Sequence, residues 1–162
     1  MPDSVKGCVS CEIISGRRKE PGGTLYQDAY WHVGSVLEPV VWRGFTIVKL
    51  RRHCEHLAAL TPEESAGLGP VLRAVCQALT DVLQPEKVYV CSFGEGVRHI
   101  HFWVLPRPAG MRPGMHSALF NLDLRLGLTR LLGVKRWLVP PAEIEADSGL
   151  LRARMSELLG PR

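Results

Sequence analysis

No stretch of the 162-residue chain comes near the roughly 20 consecutive apolar residues that a bilayer-spanning helix requires. The polar start Met1-Pro2-Asp3-Ser4 likewise lacks the apolar segment of a secretory signal, so the protein is expected to be cytoplasmic with no membrane partner. Basic blocks are missing too. The net charge of +4 is spread thinly, without the stripe that tracks a nucleic-acid backbone, so any phosphate chemistry should be local and directed at a small molecule rather than a polymer. No repeat, low-complexity segment or linker divides the chain. With 46% hydrophobic residues, a single domain of residues 1–162 can bury a sizeable core. The cysteines number five, an odd count that calls for no disulfide framework in a reducing compartment.

What is present centres on Arg98-His99-Ile100-His101-Phe102-Trp103-Val104-Leu105-Pro106-Arg107. Alternation of this kind predicts a strand over residues 97–105 with both imidazoles on one face. Two buried histidines are costly unless a metal, a phosphate or a hydrogen-bond partner uses their nitrogens, and a pair of satisfied core histidines is the bland alternative. Cys8 and Cys11 stand at the N-terminal end, where there is little core to fill. Thiolates separated by two residues suit half of a zinc site, and a redox pair is the alternative. Cys54, Cys76 and Cys91 lie in patterned segments and read as apolar fillers.

The remaining elements follow from local signals. Residues 17–23 read as a basic surface loop, residues 24–36 as one or two aromatic-rich strands, and residues 42–50 as another strand. Tyr30, Trp31 and Trp42 read as core aromatics, with stacking on a base the alternative, and His32 as a surface residue. Thr61-Pro62-Glu63-Glu64 supplies an N-cap, a proline at the first helical position and a glutamate three residues after the cap. Leu68, Val71, Leu72, Val75, Leu79 and Val82 then recur at helical spacing, which predicts an amphipathic helix over residues 62–83. Residues 87–93 and 97–105 should pair as a hairpin, residues 106–116 form a loop, and residues 118–132 and 141–159 form two further helices.

The order of Cys8-x-x-Cys11, the turn and strand from Glu38 through Gly44 to Val48, Arg51-Arg52-His53 before the long helix, and His99-Ile100-His101 ending in Pro106-Arg107 resembles the histidine triad (HIT) family. The resemblance covers residues 8–107. It implies an α+β half-barrel of about five antiparallel strands with a long helix, followed here by C-terminal helices, commonly assembled as a homodimer. Residues 1–16 would be a zinc-binding segment and residues 108–162 a helical extension. It further implies a structural zinc held by Cys8, Cys11, His53 and His99, with His56 the rival for the third place. His101 matches the family's nucleophile, which attacks the α-phosphorus of a nucleotide conjugate and forms a nucleotidyl-histidine.

Two departures bear on activity. Trp103 stands where the pattern has its third histidine, and an indole N–H donates a hydrogen bond but exchanges no proton at neutral pH. The similar galactose-1-phosphate uridylyltransferases carry glutamine there, which implies that a neutral donor is compatible with the chemistry. A protein that binds nucleotides without turning them over is the alternative. In the turn before the signature, Glu95 has the wrong charge for a phosphate and Gly96 has no side-chain donor, which leaves backbone N–H groups. Arg98 and Arg107 are the candidates to compensate, and Glu38, beside Val36 and Leu37, is the candidate for the ribose hydroxyls.

Overall fold

The computed structural model describes residues 5–160; residues 1–4 and 161–162, and with them the polar start, lie outside the described residues, as do the side chains at positions 115, 116 and 118. Among the described residues no helix is long and apolar enough to cross a membrane. A short helix α1 (Val9–Ile14) leads into strands β1 (Thr24–Gln27), β2 (Trp31–Ser35) and β3 (Thr46–Leu50). The long helix α2 (Pro62–Leu83), strands β4 (Lys87–Cys91) and β5 (His101–Arg107), and helices α3 (Met115–Leu132) and α4 (Pro141–Leu159) follow. The five strands form one sheet in the order β1-β2-β3-β5-β4, and every neighbouring pair is antiparallel.

Alternation sorts the side chains onto two faces. Trp31, Val33, Val48, Leu50, Phe102 and Val104 form one core with Val71, Ala74, Val75 and Leu79 of α2 and with Leu151 and Met155 of α4. The other face carries Ile47 and Leu105, which pack with Val41, Trp42, Phe45 and Leu122 of α3. This second layer covers the Leu105 end of β5. The His101 end faces a cavity instead.

The aromatic-rich passage is two strands because Asp28 turns the chain between them, its Oδ1 accepting from the backbone N–H groups of Tyr30 (2.8 Å) and Trp31 (2.7 Å). Trp31 and Trp42 are buried as expected, whereas Tyr30 sits on the turn and is exposed. Residues 42–45 make a turn rather than the start of β3, with the Phe45 N–H bonded to the Trp42 carbonyl. The expected hairpin forms, but β5 begins at His101 instead of residue 97. Ile100 bonds through its N–H to the Cys54 carbonyl (2.8 Å) and through its carbonyl to the Leu50 N–H (3.2 Å), which holds residues 99 and 100 against the chain leaving β3. At its other end β5 runs through Pro106 into the stretch expected to be loop. The β3 pairing ends at Val104, so on that side Pro106 is at an edge, where its missing N–H breaks no ladder bond. Its carbonyl accepts from Trp42 Nε1 at 2.8 Å.

The N-terminus of α2 is a complete capping box: Thr61 Oγ1 accepts from the Glu64 N–H and Glu64 Oε2 accepts from the Thr61 N–H. Arg52 grips both oxygens of the same carboxylate, at 2.6 and 2.8 Å, and the Glu64 carbonyl receives Trp31 Nε1. The Arg52 bond holds the Glu64 carboxyl below its ordinary range even though burial opposes this. A carboxyl depressed in the folded state contributes stability above its unfolded pKa, and that contribution is lost as the pH falls through the folded value. Glu64→Gln should therefore cost about 1–2 kcal/mol at pH 7, discounted for the partial exposure of Arg52. The gap from wild type should shrink below about pH 4. Urea denaturation at pH 7 and pH 3.5 checks this, and a gap that stays constant with pH would contradict it.

Candidate metal centre and active site

Cys8 caps α1 in an extended conformation and Cys11 lies in its first turn, a spacing of three that brings both thiols to one side of the helix. His53 follows β3 and His99 precedes β5. Their side chains meet: Cys8 Sγ lies 3.5 Å from His99 Nδ1, and Cys11 Sγ lies 3.5 Å from His53 Nδ1 and 3.6 Å from His99 Nδ1. All four donor atoms lie within 4.8 Å of one another. A tetrahedral zinc with bonds of about 2.0–2.3 Å holds its ligand atoms about 3.3–3.8 Å apart, a range that contains the three sulfur–nitrogen distances.

The proton positions fit as well. His99 Nε2 donates to the Leu50 carbonyl at 2.6 Å, so its proton sits there and Nδ1 offers a lone pair to the cluster. His53 presents Nε2 to Glu55 Oε1 at 3.4 Å and turns Nδ1 the same way. Complete burial pushes the His99 imidazole down to about 4, which keeps it neutral, the form a metal takes. Burial pushes the Cys11 thiol up, so a thiolate there requires a cation beside it. His56 is exposed and takes no part in the cluster; its carbonyl instead faces the Cys54 thiol, 3.5 Å away.

His101 opens β5 on the face that borders the cavity. Its Nδ1 lies 2.7 Å from the His99 carbonyl, which can only accept, so Nδ1 carries a proton and in the neutral ring the lone pair is on Nε2. One residue thus serves both sites: the His99 ring turns to the thiols while its carbonyl fixes the His101 tautomer. The cavity beside His101 measures about 540 Å³ and is bordered by Ser10 and Ile13 of α1, Val36, Leu37, Ile47, Lys49, residues 93–97, Trp103, Leu119 and Asp123. Trp103 points the same way as His101, two residues further along β5. Its ring meets Phe45 and Phe93 edge-on, with centroids 5.3 and 5.4 Å away. Glu95 and Gly96 border the cavity on the loop between β4 and β5, a loop tied to β5 by Ser92 Oγ donating to the His101 carbonyl at 2.8 Å.

Three sequence candidates stand apart from this cavity. Glu38 precedes a cis proline and lies in a separate groove with Val139 and Pro140. Arg98 is largely exposed and pairs with Glu55 at 3.6 Å. Arg107 lies at the far end of β5, where it bonds the Met111 carbonyl and Glu86. Arg107 stands six residues from His101 along β5, and Arg98 precedes that strand, where the bend at 98–100 turns it outward.

The structure adds residues that the sequence reading passed over. Gln27, His32, Lys49 and His101 are successive cross-strand partners, a polar row running across four strands. His32, expected at the surface, is buried because Glu20 folds over Gly34 onto this row. Glu20 Oε2 accepts from His32 Nε2 at 2.6 Å, and Oε1 pairs with the Lys49 ammonium. A β-carbon at position 34 would overlap the Glu20 carboxylate, so glycine there is what makes room for it. Burial opposes the ionisation of Glu20, but the bond from His32 and the charge of Lys49 outweigh it and hold the carboxyl below its ordinary range. Burial also pulls the Lys49 ammonium down while Glu20 supports it. The available signal was a lysine inside the apolar run from Phe45 to Leu50.

No protein-family model matches the sequence, and no curated protein matches it. Solved structures do match the fold. A histidine triad nucleotide-binding protein from Sulfolobus tokodaii, described as hypothetical, aligns with a TM-score of 0.68 at 16% identity over 93% of each chain. A zinc-bound histidine triad family protein from Mycobacterium smegmatis aligns at 0.65 and 23% identity, over 94% of this chain and 95% of that one. A HIT-like protein involved in cell-cycle regulation from Bartonella henselae aligns at 0.65 and 16% identity, over 93% and 98%. The five-stranded antiparallel sheet with its helices is thus the fold of the histidine triad proteins, α+β as the sequence implies.

Proposed function

We propose that this chain binds a nucleotide conjugate in the cavity beside His101 and breaks or transfers the bond at its α-phosphate, with His101 as the nucleophile. The observation that carries this is the bond from His101 Nδ1 to the His99 carbonyl, which in the neutral ring leaves the Nε2 lone pair at the cavity wall. The Nε2 lone pair attacks phosphorus, the bond to the leaving group breaks, and its electron pair departs with that group. Water or an acceptor hydroxyl then attacks the same phosphorus, its proton passes to solvent, and the phosphorus–nitrogen bond breaks to restore the lone pair. The proton stays on Nδ1 throughout, donated to the His99 carbonyl.

Cys8, Cys11, His53 and His99 would hold a zinc ion whose four positions are all filled by protein, so its contribution is structural. The four residues tie α1 to the ends of β3 and β5, and through His99 they set the orientation of the nucleophile. Fold likeness to a zinc-bound and a nucleotide-binding histidine triad protein supports both parts of the reading. Trp103, packed between Phe45 and Phe93, supports a second reading in which the chain binds nucleotides without turning them over.

Incubation with dinucleoside polyphosphates, nucleoside phosphoramidates and nucleotide sugars separates the two. Release of a nucleoside monophosphate or its transfer, reduced at least about 1,000-fold by His101→Ala, is the expected result. Binding without turnover of any of them favours the second reading.

A further inference from the structure

With Arg98 and Arg107 turned elsewhere and Gly96 lacking a side chain, the cavity needs another source of positive charge if it is to seat a phosphate. The row across the sheet supplies one. His32 lies between Gln27 Oε1 at 3.0 Å and Glu20 Oε2 at 2.6 Å, which fixes its ring against the carboxylate. Glu20 gives one oxygen to that ring and the other to Lys49. Among the described residues Glu20 is the one hydrogen-bond partner of the Lys49 ammonium, which has three N–H donors, so two remain for a group in the cavity. Buried donors without partners are costly, and an anion in the cavity would satisfy them. The two carboxylates that border the cavity, Glu95 and Asp123, are exposed to solvent, which screens them.

Lys49 is the member of the network that reaches the cavity, and it is the direct cross-strand partner of His101. Side chains so paired emerge side by side on one face of the sheet. Most of the remaining lining is apolar, including Val36, Leu37, Ile47 and Phe93.

We infer that Lys49, propped by Glu20 and His32, is the residue that selects for an anion in this cavity, and that its ligand is a phosphate bearing an apolar or aromatic group. The inference rests on the proposed function only in setting the phosphate beside His101; it does not require the group to be a nucleoside. Lys49 acts here on binding, and its ammonium neutralises charge on the phosphate oxygens.

The test is calorimetric titration of the 162-residue, metal-loaded chain with phenylphosphonate, AMP and adenosine. Lys49→Met removes the ammonium, and the double variant Lys49→Met/Glu20→Gln removes both members of the ion pair so that no orphaned carboxylate undermines folding. Both variants should bind phenylphosphonate and AMP at least about tenfold more weakly than wild type, as expected when a charge-assisted hydrogen bond is lost, and adenosine with unchanged affinity. A merely structural role would weaken all three probes alike, and that result overturns the inference. Equal affinity of wild type and the double variant for both anions overturns it too, while leaving the nucleotide reading intact. Lys49-dependent binding of phenylphosphonate with no binding of AMP or adenosine supports the anion seat and removes the nucleotide reading.

Discussion

Cys11→Ser should strip the chain of zinc and lower its melting temperature by about 10 °C or more. The sulfur of Cys11 is within 3.6 Å of both histidine donor atoms, so it is the thiol at the middle of the cluster. Serine cannot replace it, because its hydroxyl is not ionised near neutral pH and is a poor zinc ligand. The remaining three donors would then face an open position, with Cys8, His53 and the buried His99 left close together and nothing between them. Structural zinc sites contribute folding free energy outright, and losing even about 3–5 kcal/mol of it in a chain of this size moves the midpoint by about 10 °C. Cys54→Ser is the control. Cys54 is buried outside the cluster with its thiol toward the His56 carbonyl, a contact a hydroxyl can also make, so this variant should retain zinc and lose only about 1 kcal/mol. Elemental analysis with a melting curve of each variant checks both statements. Wild-type chain that contains no metal and melts as Cys11→Ser does would contradict the zinc assignment.

Trp103→His should raise turnover of a nucleoside phosphoramidate by about 100-fold or more while changing turnover of a dinucleoside polyphosphate much less. The difference lies in the leaving group. An amine expelled from phosphorus needs a proton, and the indole of Trp103 has none to exchange, whereas a phosphate leaves as an anion. A histidine at position 103 lies on the same face as His101, two residues along β5, and can deliver that proton. General acids contribute about 100- to 10,000-fold, most where the leaving group is most basic. The exchange has a structural cost, since the Trp103 ring packs against Phe45 and Phe93 and a smaller ring leaves space there. Trp103→Leu opens the same space without an acid, so it should reproduce the loss of stability but not the gain in rate. Equal acceleration of both substrate types, or acceleration by leucine as well as histidine, would show that Trp103 acts as a plug and not as a missing acid.

The parts of the fold that follow from short-range signals were legible in the sequence. The capping box at Thr61 and Glu64 marks the start of α2, and the periodicity from Val71 to Leu79 marks the face it buries. The cluster of Cys8, Cys11, His53 and His99 was legible because its four residues are chemically distinctive, although only the folded chain shows that His53, and not His56, turns toward the thiols. Register was not legible. His32, Lys49 and His101 stand in one row only because β2, β3 and β5 pair as they do, and Glu20 reaches that row only because Gly34 has no side chain. Direction was also hidden. Arg98 and Arg107 flank the signature in sequence, yet a bend turns one outward and six residues of strand carry the other away. Glu38 adjoins Val36 and Leu37, which do border the cavity, but the chain turns at Glu38-Pro39 and leaves it in another groove.

Attack of the His101 Nε2 lone pair on phosphorus would leave a nucleotidyl group on that ring. Mass measurement of the intact, metal-loaded protein tests it most directly, after brief incubation with a dinucleoside polyphosphate and a quench that avoids acid, because a phosphoramidate is acid-labile. Wild-type protein should gain the mass of one nucleotidyl group and His101→Ala should gain none. Turnover with no mass increase in wild type, or an adduct that persists in His101→Ala, would contradict the account.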